Sequence, residues 1–149
     1  MKEPIIIGSD HAGFKMKEFI KSELEKTGVP YNDIGTHSID STDYPLYAGK
    51  IGKEISKGNY QRGIAICGAG IGASIAANRF RGVRAALCLT EEMAYLSREH
   101  NDSNVLVLGG RITSTETASK ILKAWLETPF AGGRHSRRIE MLDTIVDKQ

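Results

Sequence analysis

The sequence predicts an α/β fold: a Rossmann-like, doubly wound α/β/α sandwich with a five-stranded parallel sheet between its helical layers. Two observations carry that expectation. Short β-branched runs alternate with segments whose apolar residues recur every three to four positions, which is the order of βα units. The runs are also near-continuous in apolar character, which marks strands buried on both faces and hence parallel pairing.

The runs are PIIIGS at 4–9, YNDIG at 31–35, RGIAICG at 62–68, RAALCL at 84–89 and NVLVLGG at 104–110. Each has strand length, and most close on glycine or a small polar residue. After the first run, Met16, Phe19, Ile20 and Leu24 line one helical face. Tyr47, Ala48, Ile51 and Ile55 do so after the second, and Ala118, Ile121, Leu122, Trp125 and Leu126 after the fifth. Thr90 followed by Glu91 and Glu92 reads as a helix cap with acids at the positive end of the dipole, and Thr113 with Glu116 fits a capping box. Residues 129–149 read as a loop leading to a short terminal helix. The expected organisation is one domain over 1–149 with a helical tail from about 129.

Composition narrows the partners. The 149 residues carry a formal net charge of +2, with charges interspersed, so no strong field favours nucleic acid or an anionic membrane. The N-terminal stretch lacks the apolar core of a signal peptide and nowhere do about 18 apolar residues run together, so the chain reads as cytoplasmic. Its two cysteines, Cys67 and Cys88, are then expected as reduced thiols. The four histidines are scattered without ligand spacing, which gives a metal site little support.

In such a sheet, ligands bind beyond the carboxyl ends of the strands. The residues there are Ser9-Asp10-His11 after the first run, Cys67 with the glycines of CGAGIG after the third, and Gly109-Gly110-Arg111 after the fifth. Ser9, Asp10 and His11 are chain neighbours whose side chains diverge, so a hydrolase triad is not expected. Gly68, Gly70 and Ala73 match G-x-G-x-x-A with Glu91 about 20 residues on, so a dinucleotide-binding module is a rival reading. In either case the glycines admit main-chain N–H groups close to an anion at a helix start. A thiol beside that turn is favoured as thiolate, whereas Cys88, inside its apolar run, reads as a buried small hydrophobe. A thiolate next to an oxyanion site suits acyl transfer or removal of a proton α to a carbonyl.

The later part of the chain supplies cations: GGRHSRR places Arg134, His135, Arg137 and Arg138 within five residues. His100-Asn101 ends the helix after the fourth run, and Arg134 follows the helix after the fifth. Helices run back from the strand tips, so these groups lie at the other end of the sheet from Cys67, roughly 15 Å away for a ten-residue helix. If they share its site, a second subunit brings them.

GSDHAGF at 8–14, TDYP at 42–45, CGAGIG at 67–72, RAALC at 84–88, SREHNDSNVLVLGGR at 97–111 and GGRHSRRI at 132–139 together resemble type B ribose-5-phosphate isomerases. The wider family includes galactose-6-phosphate isomerase subunits and enzymes acting on allose 6-phosphate. The resemblance implies a homodimer, in some members a tetramer, with active sites shared between subunits and neither metal nor nucleotide cofactor. It implies that ribose 5-phosphate and ribulose 5-phosphate are interconverted through a cis-enediol in the pentose phosphate pathway, with a six-carbon sugar phosphate as the alternative substrate. Carried across, Cys67 resembles the base, His100 the acid that opens the ring, and Asp10 a group near the ring oxygen. The main chain across Gly68, Ala69, Gly70, Ile71 and Gly72 resembles the hole for the enediolate oxygen. Asn101 resembles a substrate hydrogen-bonding partner, and His11, Arg111, Arg134 and Arg138 the phosphate contacts, while Asp43 and Tyr44 match a pocket-lining motif. One position departs: many members have Thr or Ser where this chain has Ala69, which leaves room for a larger sugar.

Overall fold

In the computed structural model, residues 2–148 are described; Met1 and Gln149, the ends of the expected 1–149 domain and 129–149 tail, lie outside the described residues. Five parallel strands form one sheet: β1 (Ile5–Ser9), β2 (Tyr31–Asp33), β3 (Gly63–Cys67), β4 (Ala85–Leu87) and β5 (Val105–Gly109). Their spatial order is β2-β1-β3-β5-β4. The central strands β1, β3 and β5 are buried at every residue, and the three-residue edges β2 and β4 are not. This agrees with the sequence, where the central runs are uninterrupted β-branched or leucine segments and the second run contains Asn32 and Asp33.

Helices cover both faces. α1 (Phe14–Lys26), α4 (Glu91–Glu99) and α5 (Thr115–Glu127) pack on one through Met16, Ile20, Leu24, Ala94, Ile121 and Trp125, against Ile5, Ile7, Ile64, Ile66, Leu106 and Leu108. α2 (Tyr44–Ser56) and α3 (Ile71–Ala77) cover the other, where the strands present the smaller Ala65, Cys67, Val105 and Val107. In β3 and β5 the period-two alternation sorts larger side chains to one face and smaller ones to the other, while β1 places an isoleucine, Ile6, on the second face as well. Each fully buried Ile or Leu contributes about 1.5–3 kcal/mol. The small-residue face lets α3 lie close to the sheet, and Cys67 points to that side.

The helix starts follow their caps, with one correction. Thr90 accepts from the Met93 N–H at 3.1 Å, as expected. The cap of α5 is Ser114, which accepts from the Thr117 N–H at 3.1 Å, and not Thr113. Thr113 is still held in the turn after β5, its N–H donating to the Gly109 carbonyl at 3.0 Å, so the helix begins one residue later. A loop from Thr128 leads into α6 (Arg134–Thr144) and a short 3-10 turn (Ile145–Lys148).

Candidate active site

The strand order reverses between β1 and β3, so the chain leaves these neighbours in diverging directions and opens a crevice at their carboxyl ends. Main-chain hydrogen bonds tie the surrounding loops together. The Asp10 N–H donates to the Ile66 carbonyl at 3.3 Å, the Gly110 N–H to that of Cys67 at 2.8 Å, and the Arg111 N–H to that of Gly68 at 2.9 Å. The segments after β1, β3 and β5 therefore form one rim, which gathers Asp10, His11, Cys67, Gly68 and Arg111.

Gly70, at φ +80°, turns the chain from β3 into α3, a conformation open to glycine at little cost. Two residues on, a Cβ at Gly72 would sit 2.5 Å from the ring of Tyr44, so the bare backbone is what lets that ring lie over the loop. Tyr44 itself begins α2, with Asp43 at the cap position and Pro45 in the first turn. The N–H groups of Ala69, Gly70, Ile71 and Gly72 donate to no acceptor among the described residues. The turn is thus a row of uncommitted donors. Cys67, which the sequence placed at the mouth of this turn, closes β3 with 5% of its surface exposed. Cys88 is buried as expected, and loss of solvation pushes its thiol up to about 11 against the opposing hydrogen bond to Ser97.

The neighbouring polar groups are held in place. Asp10 is 6% exposed, and its Oδ1 accepts the Gly13 N–H at 3.0 Å, capping a 3-10 turn over His11–Gly13. His11 Nδ1 lies 3.2 Å from both the N and the O of Thr42, on the loop before α2. Arg111 runs over Gly68, where a Cβ would lie 3.7 Å from its Cδ, and it has no carboxylate partner among the described residues.

The remaining predicted residues sit at the amino end of the sheet. His100 caps the end of α4, and its ring stacks on His135 of α6 with centroids 4.4 Å apart and planes 14° from parallel. The Ala131 N–H donates to the Glu99 carbonyl at 3.0 Å, which fixes the loop before α6 against this helix end. Partial loss of solvation, then the charges of His100, Arg134 and Arg138, hold His135 below its usual range. Arg134 and Arg138 are exposed and unpaired with any carboxylate among the described residues, and Asn101, which follows His100 in sequence, is exposed as well. The turn at 100–104 feeds the start of β5 while Cys67 pairs with Gly109 at its end, about 13 Å along the strand. Within one chain the predicted site is therefore in two parts.

A family description, Ribose/Galactose Isomerase, matches residues 5–142, with both loop sets inside the match. The chain belongs to that family. It is 44% identical over 145 residues to the Escherichia coli protein named ribose-5-phosphate isomerase B, covering 97% of each chain. Among solved structures, a Thermotoga maritima ribose 5-phosphate isomerase superposes with a TM-score of 0.92 at 50% identity, over 96% of this chain and 99% of that one. A Mycoplasma genitalium ribose-5-phosphate isomerase B with bound ribulose 5-phosphate gives 0.93 at 36% identity, over 98% and 97%. As a family member the chain is an isomerase, and the dinucleotide-binding rival falls away. Among the described residues, no helix is long and apolar enough to cross a membrane.

Several supporting residues escaped the sequence reading. Lys17 is fully buried and donates to both oxygens of Asp33 at 2.7 and 2.6 Å, and Asp33 also accepts the Gly35 N–H at 2.8 Å. At the other end Arg98, 6% exposed, bonds Asp102 at 2.8 Å and the Ser103 carbonyl at 2.6 Å. Asp102 adopts φ +46°, a left-handed turn that aspartate tolerates better than most residues. The one signal for these was a charge within an otherwise apolar helical stripe, at Lys17 beside Met16 and Ile20.

Proposed function

We propose that this chain interconverts ribose 5-phosphate and ribulose 5-phosphate in the cytoplasm, as a homodimer whose active sites draw on both subunits. The observation that carries the reading is the division of the site. Among the described residues, the turn with free N–H donors lies at one end of the sheet, and His100 with two arginines lacking a carboxylate partner at the other. A neighbouring copy brings the second part to the first. Exposed Leu46, Ile71, Ile75, Leu89, Met93 and Ile112 supply apolar surface around the first part for that copy to cover.

In this reading His11 and Arg111 of one subunit, with Arg134 and Arg138 of the other, hold the phosphate by charge-assisted hydrogen bonds. His100 gives a proton to the ring oxygen as its bond to C1 breaks and takes one back from the anomeric hydroxyl, which becomes the C1 carbonyl, while Asp10 orients the ring and the furanose opens. Cys67, as thiolate, takes the proton from C2, and the electron pair of that bond forms the enediolate. The amides from Gly68 to Gly72 stabilise its oxygen, a proton passes from O2 to O1, and Cys67 returns its proton to C1. The ketose forms with no net gain or loss of protons or electrons. Asn101 hydrogen-bonds a sugar hydroxyl, and Tyr44 with Asp43 bounds the pocket. A positioned base or acid gives about 10²–10⁴-fold each and one oxyanion donor about 2.7–4 kcal/mol, which suffices for isomerisation.

The test is incubation with ribose 5-phosphate in heavy water. Ketose should form, with deuterium at the exchanging carbon in at least part of the product. Absence of ketose, or a kcat/KM for allose 6-phosphate or galactose 6-phosphate above that for ribose 5-phosphate, would overturn the assignment. The larger sugars are the comparison to make because Ala69 carries no hydroxyl to crowd the pocket.

A further inference from the structure

We propose that the main chain of Thr42 fixes His11 as an Nε2–H donor, and that Tyr47 is the positioning residue that holds Thr42 in place. Its functional consequence rests on the reading of His11 as a phosphate contact.

The argument starts from one nitrogen with two candidate partners. His11 Nδ1 lies 3.2 Å from the Thr42 N and 3.2 Å from the Thr42 O. A neutral imidazole satisfies only one of them: a protonated Nδ1 donates to the carbonyl, and a bare Nδ1 accepts the N–H. The first arrangement leaves the half-buried Thr42 N–H without a partner, since among the described residues it has no other acceptor. The second leaves only a carbonyl underused. Orphaned N–H groups are the rarer and costlier of the two. The neutral ring therefore carries its hydrogen on Nε2. If the ring gains a second proton, Nδ1–H turns to the Thr42 carbonyl and Nε2 keeps its hydrogen. In both states the nitrogen directed away from Thr42 presents a donor, which is what an anion requires and what the opposite tautomer would deny it.

Tyr47 makes this arrangement specific. Its hydroxyl lies 3.0 Å from Thr42 Oγ1, so the clamp on His11 is itself anchored to the first turns of α2. The ring is seated, since a Cβ at Gly35 would lie 3.3 Å from its edge. The irregular segment from Ile34 to Asp43 carries Thr42 over a long span, and Tyr47 is the side chain that ties its end to a helix. His11, Thr42, Tyr47 and α2 form one connected support, with Tyr44 of the same helix lying over the glycine turn.

The experiment combines a two-bond proton–nitrogen correlation of the ¹⁵N-labelled protein, recorded with the histidine rings neutral, with kinetics on ribose 5-phosphate. The expected spectrum shows Nδ1 bare and Nε2 protonated. Tyr47→Phe keeps the ring but drops the hydroxyl; KM should rise about three- to tenfold, the worth of one hydrogen bond, with kcat within about twofold and the His11 signals moving toward the other tautomer. His11→Gln, whose amide nitrogen reaches the Nε2 position, should keep a lower KM than His11→Asn, whose nitrogen reaches only the Nδ1 position. A protonated Nδ1 in the unaltered neutral protein, or a lower KM for His11→Asn, overturns the proposal. The expected tautomer together with an unchanged KM in His11→Ala instead removes the phosphate role beneath it.

Discussion

The two ends of the sheet are built on opposite plans. At the carboxyl end most polar side chains of the candidate site are committed: Asp10 to the Gly13 N–H, His11 to Thr42, and beneath them Lys17 to Asp33, with Arg111 and the buried Ser9 hydroxyl the exceptions. At the amino end the arginines of α6 reach outward with no carboxylate to meet among the described residues, and His100 rests on another histidine. Satisfied groups describe a pocket ready to hold a ligand; unsatisfied cations describe a surface that completes something elsewhere. The difference fits the proposed homodimer, in which one chain carries a receptor for a neighbour's groups and a donor for a neighbour's receptor, as a closed twofold assembly would require.

The largest effect should come from the receptor half. Cys67→Ala removes the one thiol at the glycine turn and leaves the main-chain donors and the proposed phosphate contacts in place. We expect kcat to fall at least about 10²–10⁴-fold with KM within about twofold, measured by ketose formation at saturating substrate. The substitution is small and lies on the sheet face already lined by alanines, so the fold should survive it. Undiminished turnover would remove the base from the mechanism.

Next in size is the contrast between the ion pairs under each half. Asp33→Asn strands the charge of a fully buried Lys17 and should cost about 3–5 kcal/mol in urea unfolding. Asp102→Asn should cost about 1 kcal/mol, because Asp102 is more than a third exposed and Arg98 keeps the Ser103 carbonyl. Acid should separate the ends in the same sense. Burial works against the Asp33 charge, yet Lys17, Lys21 and the Gly35 N–H outweigh it and hold the carboxyl below its ordinary value. Its stabilisation is complete above the unfolded-state value of about 3.9 and is lost as pH falls through the depressed folded-state value. A stability curve that Asp33→Asn leaves unchanged in shape below pH 4 would count against this.

These two ion pairs also mark where the sequence stops being legible. All five strands and the covering helices could be read because hydrophobic periodicity and Gly or Thr punctuation are local signals. Cap positions slipped by one residue at Ser114 because Thr113 offers the same hydroxyl, and only the turn after β5 decides between them. The grouping of Asp10, Cys67 and Arg111 followed from a general property of parallel sheets, without any pairwise signal. Lys17 with Asp33, His11 with Thr42 and His100 with His135 join residues 16, 31 and 35 positions apart. Their geometry depends on loop paths that no spacing rule encodes.

Arg134→Ala probes the donor half directly. In the proposed mechanism it removes one charge-assisted contact to a phosphate, so KM for ribose 5-phosphate should rise about 10–100-fold while kcat changes little. Its side chain is exposed and unpaired among the described residues, so thermal stability should stay within about 0.5 kcal/mol of the parent. A fall in stability with unchanged KM would make Arg134 a structural residue.

Subunit complementation yields a smaller change in rate but separates the two halves most cleanly. Cys67→Ala impairs the receptor half and His100→Ala the donor half, so each homodimer should be nearly inactive. When the two are unfolded together and reassembled, half of the dimers are mixed, and each mixed dimer has one site with both substitutions and one with neither. Activity should return to about one quarter of the parent level, a fraction fixed by the symmetry of a twofold dimer and independent of the size of either defect. If instead both residues of a site came from one chain, each site in a mixed dimer would carry a single substitution, and mixing would recover nothing. The arrangement of the chain argues against that outcome, since β5 separates the segment of His100 from the end of β3 where Cys67 lies.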